Sequence, residues 1–130
     1  MAISFVRRQP FNQHHHLKSA YKSVISEAQI QAVVARIVEG YQPDRIILFG
    51  SYAYGTPVED SDLDLLVIKS NDQRPVWERM AAIEKLFNRS GAPAMDVLVL
   101  NGAELQRHRL GHYSVESVAL KEGKELYAAA

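Results

Sequence analysis

An α/β domain is predicted by two features of the sequence. Three short apolar runs, at 46–49, 63–68 and 95–100, have the length and residue types of buried strands. Around them lie segments whose apolar residues recur every three or four positions, the period of helices with one buried face. Strands alternating with helices along one chain of 130 residues imply a single small mixed sheet with helices packed on it.

Residues 1–22 combine short apolar pieces with Pro10, Asn12 and His14, His15 and His16, and show no sustained period. They are expected to form a flexible arm ahead of a domain over 23–130. Ser26 with Gln29 three places on is a capping box, and Ile25 and Ile30 can staple the entry. Ile30, Val33, Val34, Ile37 and Val38 then form a helical stripe, for which Gly40 supplies a stop. After Pro43 and Asp44, the run Ile46, Ile47, Leu48, Phe49 predicts a strand that Gly50 ends.

A polar stretch with Gly55 and Pro57 leads to the second strand, which contains Asp62 and Asp64. Pro75 opens a helix with Val76, Trp77, Met80, Ile83, Leu86 and Phe87 on one side, read as core packing. The third strand, Met95 to Leu100, is apolar except for Asp96. A short helix with Leu105 and Leu110 follows, then one from Tyr113 to Gly123. Leu126 and Tyr127 suit an edge strand.

The 15 basic and 15 acidic side chains cancel, so no whole-molecule field draws the chain onto a nucleic acid or an anionic membrane. Without cysteine there are no disulfides, thiol nucleophiles or Cys-based zinc sites. The apolar stretches are strand-sized and the N-terminal region lacks a signal peptide's apolar run, so a soluble cytoplasmic protein is expected. The three consecutive histidines read as a solvated segment, and His108 and His112, four apart but without a third ligand, as exposed side chains.

Asp62 and Asp64 are two apart on a strand, so they face the same way with Cβ atoms about 7 Å apart. Two such carboxylates repel unless a divalent cation lies between them, and magnesium takes oxygen ligands while leaving positions open for phosphate. Asp96 joins the pair if its strand lies alongside. Three acids can hold two ions, the arrangement that activates an attacking hydroxyl and stabilises a leaving pyrophosphate, with Asp96 the candidate general base. Gly50 leaves room for backbone N–H groups and the Ser51 hydroxyl to approach phosphate oxygens.

Gly50-Ser51, ten residues, then Asp62-x-Asp64, with flanking strands and a later Asp96, resembles the signature of the DNA polymerase beta nucleotidyltransferase superfamily, and within it the minimal nucleotidyltransferases. The resemblance implies the nucleotidyltransferase fold, with Asp62, Asp64 and Asp96 as catalytic metal ligands for Mg2+, two ions in all. It implies Gly50 and Ser51 as binders of a nucleoside triphosphate, with transfer of an NMP, AMP from ATP, to a hydroxyl. Many minimal nucleotidyltransferases are similar to antitoxins that add AMP to a tyrosine of a small helical HEPN-type toxin, so such a partner, or self-association, is expected. The relatives' turn often reads GSRARG, whereas here it is Gly50-Ser51-Tyr52-Ala53-Tyr54-Gly55, with Tyr52 or Tyr54 as candidates for stacking on a nucleobase. Alternatives are a binding module that neutralises a partner without catalysis, and a small-molecule nucleotidyltransferase acting on an antibiotic.

Overall fold

A computed structural model describes residues 2–5, 24–88, 91–109 and 114–130. Strand β1 (Ala2–Phe5) is followed by helix α1 (Glu27–Tyr41), β2 (Arg45–Phe49), the one-turn helix α2 (Ser51–Tyr54) and β3 (Leu63–Ile68). Helix α3 (Val76–Glu84) runs into a 3-10 turn, Lys85–Phe87. After it come β4 (Met95–Leu100), α4 (Gly102–Arg109), α5 (Val115–Glu122) and β5 (Lys124–Ala128). Among the described residues no helix is long and apolar enough to cross a membrane.

The five strands form one sheet in the order β1-β4-β3-β2-β5. Only β3 and β4 are parallel, with α3 as the connection that brings the chain back; the other pairs are antiparallel. Side chains alternate, so each central strand divides its residues between two cores. Ile46, Leu48, Leu63, Leu65, Val67, Val97 and Val99 pack beneath α1 and α3. Ile47, Phe49, Leu66, Ile68, Leu98 and Leu100 meet Ala119 and Leu120 of α5 and Leu105 of α4. The result is three layers, helices on both faces of a mixed sheet, as the apolar runs on both sides of each strand required.

The capping box at Ser26 forms: Gln29 N–H donates to the Ser26 hydroxyl at 3.1 Å, and Ser26 N–H to the Gln29 side chain at 2.8 Å. The helix does not stop at Gly40. It continues through the buried Tyr41, and Gln42 takes the left-handed position at φ 56°. Gly40 is small for another reason: a Cβ there would collide with the Leu86 side chain, so α1 and the 3-10 turn can approach closely.

Three further expectations change. Ala2–Phe5, assigned to the flexible arm, form an edge strand paired with β4; the remainder of 1–22, including His14 to His16, lies outside the described residues. Trp77, placed in the core stripe, is 66% exposed, because the buried positions of α3 are Arg79, Met80 and Ile83 and Trp77 lies a helical step to one side. His108 is half-buried, with Nδ1 3.1 Å from the hydroxyl of Ser114, the N-cap of α5; His112 lies outside the described residues. The edge strand expected at Leu126 and Tyr127 is present as β5.

Candidate active site

The site is built at one end of the central strands. Because β3 and β4 run parallel, Asp64 and Asp96 stand directly opposite each other in the register, at the second position of each strand. Neighbouring strands lie about 4.8 Å apart, so the two carboxylates share one face. That face is the one covered by α4 and α5, since Asp64 alternates with Leu63 and Leu65 of the other core. Asp62 sits one residue before β3 rather than within it, and is exposed.

The third strand of the site arrives from the opposite direction. β2 is antiparallel to β3, with Phe49 opposite Asp64, so the chain leaves β2 beside the carboxylates and turns at Gly50. Gly50 has φ 73° and ψ −160°, a conformation open almost only to glycine. A Cβ on Gly50 would also strike Oδ2 of Asp64. Two independent constraints, backbone conformation and close approach, thus select glycine at this turn.

Ser51 begins α2, and the amides of Ala53 and Tyr54 both donate to the Gly50 carbonyl, at 3.0 and 3.2 Å. The Ser51 hydroxyl makes no hydrogen bond among the described residues. The Tyr52 hydroxyl accepts from the Ile25 amide at 2.9 Å and its ring packs against the larger core, so this side chain ties the turn to the start of α1. It does not serve as a stacking platform. Tyr54 is 52% exposed and donates to Glu122 of α5 at 3.3 Å. Ser61 closes a tight loop, its hydroxyl accepting from the Val58 amide at 2.9 Å.

Burial, then the charges of Asp96 and Asp62, push the Asp64 carboxyl up to about 6. Both other acids therefore act on Asp64. Among the described residues no three acidic or histidine side chains converge tightly enough to cage a metal ion unaided. That suits a hard cation held by one or two carboxylates with phosphate oxygens and water completing its shell. The donor set is all oxygen, and a cation beside Asp64 would replace repulsion by attraction.

The structure sets Gly50 against Asp64 and Asp96 in register with it, with Ser51 following Gly50 in the chain, whereas Asp62 lies outside β3 and, among the described residues, the three aspartates expected as metal ligands do not close into one cage. It also reveals a polar cluster that sequence reasoning missed, at the other end of the same strands. The Tyr41 hydroxyl donates to Asp72 at 2.8 Å, Arg74 grips the same carboxylate through Nε and a terminal nitrogen at 2.8 and 2.7 Å, and the buried Arg79 makes a two-pronged pair with Glu104 at 2.7 and 3.0 Å. One part was readable: Asn101 and Glu104 form a capping box on α4, each side chain accepting from the other's amide.

A family model for the nucleotidyltransferase domain matches residues 30–122, a span that includes all five site residues. The chain belongs to this family. The crystal structure of a protein from Sulfolobus solfataricus assigned as a nucleotidyltransferase, determined at 1.40 Å, has the same fold. Its TM-score is 0.55 at 17% identity, and the superposition covers 91% of this chain and 90% of that one. No curated protein matches the sequence.

Proposed function

We propose that the protein transfers AMP from ATP, with magnesium, to a hydroxyl on a partner protein. The observation that carries this reading is the contact of the Gly50 turn with Asp64, with Asp96 in register beside it. A phosphate-sized turn and a set of acids that repel one another make chemical sense together when a cation and a triphosphate lie between them.

Asp62 and Asp64 would hold the divalent cation, with Asp96 completing the set; when bound, it neutralises the triphosphate and eases ionisation of the attacking hydroxyl. The Ser51 hydroxyl and the backbone amides of the turn after Gly50 would donate to phosphate oxygens. Asp96 accepts the proton of the hydroxyl as its oxygen bonds to the α-phosphorus. The bond from that phosphorus to the bridging oxygen of the β-phosphate breaks, and pyrophosphate leaves. The acceptor we infer is a tyrosine on a small helical toxin of the HEPN type, which makes the protein an antitoxin; this rests on the motif resemblance described above.

The test is to incubate the purified protein with Mg2+, ATP labelled at the α-phosphate and the product of its neighbouring gene. Label should appear on the partner and disappear with Asp64→Asn. Neutralisation of the partner without label transfer, unchanged in Asp62→Ala/Asp64→Ala, would establish the non-catalytic binding module instead.

A further inference from the structure

From Ile46 to Ile68 the chain carries no lysine or arginine, so what the Gly50 turn itself offers a triphosphate is backbone N–H groups and the Ser51 hydroxyl. Such neutral donors are directional: the bond weakens steeply as its angle departs from linear, whereas a cation attracts from any side. The turn therefore has to be held in one geometry, and its own backbone does not hold it. It runs from Gly50, at φ 73°, to Gly55, at φ 77°, and glycine permits such conformations without enforcing them. Between the two, α2 is a single helical turn, too short to persist alone.

Two tyrosines, two residues apart, tie the turn to the helices on either side of the sheet. The Tyr52 ring packs against the core beneath α1 and α3, and its half-buried hydroxyl accepts the Ile25 N–H at 2.9 Å. Ile25 packs on that same core and precedes Ser26, the N-cap of α1, so the partner is itself fixed. On the other side the Tyr54 hydroxyl donates to Glu122 of α5, a helix whose Ala119 and Leu120 belong to the second core. That bond is longer, at 3.3 Å, and exposed, which makes Tyr52 the stronger tie.

We propose that Tyr52 is a positioning residue: by bonding the Ile25 amide it fixes the Gly50-Ser51 turn in the geometry that receives the triphosphate, with Tyr54 as a weaker second tie. Pre-organisation thereby takes the place of charge within the turn, since a segment already held loses little freedom when the phosphates arrive. Tyr52 acts through Ser51, its neighbour in the chain, and not on the reacting atoms. This inference rests on the nucleotidyltransferase reading.

Binding of a fluorescent ATP analogue with Mg2+ tests it in five proteins: wild type, Tyr52→Phe, Tyr52→Arg, Tyr54→Phe and Ile37→Val. Ile37 is fully buried in the same core, about three helical turns along α1 from the Ile25 bond, so Ile37→Val measures the effect of lost stability alone. It should melt lower than wild type yet bind equally well. Tyr52→Phe keeps the ring and removes only the acceptor; it should weaken binding about fivefold, and Tyr54→Phe about twofold. Tyr52→Arg brings a cation to the turn but loses the bond to Ile25, and should bind no better than Tyr52→Phe. In the transfer reaction the Tyr52→Phe effect should fall on KM more than on kcat. A Tyr52→Phe protein with wild-type affinity, or a Tyr52→Arg protein that binds more tightly than wild type, overturns the role of Tyr52 while leaving the enzyme reading untouched. A wild-type protein that neither binds Mg2+·ATP nor transfers label overturns both.

Discussion

The two ends of strands β3 and β4 handle carboxylates in opposite ways. At the far end Asp72 is held well below the usual carboxylate range by the Arg74 guanidinium, against the cost of burial, with the Tyr41 hydroxyl adding to the effect. Glu104 is opposed by burial, yet Arg79 and the Asn101 amide keep it low, and hydrogen bonds from Ser70 lower Asp44. At the near end Asp64 is pushed up, by burial and by two more acids. One end is a finished structural clamp. The other keeps like charges together at a cost to the fold, the pattern expected where a cation and an anionic substrate are to bind.

The largest contrast should come from Asp64→Asn. It should lower nucleotidyl transfer by at least about a hundredfold, since the residue serves the metal and the turn, and it should raise stability at pH 7 by about 1 kcal/mol after solvent screening is allowed for. The sign follows from linkage. The folded carboxyl titrates near 6 against 3.8 when unfolded, so its destabilisation is complete above about pH 6 and gone below about pH 4. Melting curves of the two proteins should therefore converge on acidification through that window.

At the far end the sign reverses. Glu104→Ala leaves the buried Arg79 charge without its partner and should cost about 3–5 kcal/mol in denaturant unfolding. Because the folded values of Asp72 and Glu104 lie below their unfolded ones, the clamp's stabilisation is complete above about pH 4.5 and is lost as the pH falls further. Gly50→Ala should cost about 2–3 kcal/mol, from the left-handed backbone and the collision with Asp64, and should abolish transfer. Trp77→Gln, on an exposed helical position outside both ends, should change stability by less than about 0.5 kcal/mol.

What was legible in the sequence was what one strand or one turn encodes. The three apolar runs, the Ser26 cap, the Gly50-Ser51 turn and the three aspartates are local patterns, and a carboxylate within an apolar run is conspicuous against its neighbours. That Asp64 and Asp96 stand in register depends on a parallel pairing, which the helical connection through α3 implied but could not fix. The far-end clamp was not legible, because Arg79 looks like an ordinary helical arginine until its partner on α4 is brought to it. Gly40 was misread as a helix stop, since only the approach of Leu86 reveals its use, and Trp77 was misread because a stripe of period 3.6 leaves its margins undecided. β1 escaped notice because a four-residue edge strand is specified by the strand it joins.

In the function proposed above, the carboxylate end is held in tension for a cation and a triphosphate. Thermal unfolding of wild type and Asp64→Asn, each with and without Mg2+ and a non-hydrolysable ATP analogue near a hundred times Kd, tests it most directly. Wild type should gain about 5 °C or more from Mg2+ and nucleotide together, while Asp64→Asn should melt higher than wild type without ligand and hardly move with it. Equal ligand shifts in both proteins, or an Asp64→Asn variant that melts below ligand-free wild type, would contradict the account.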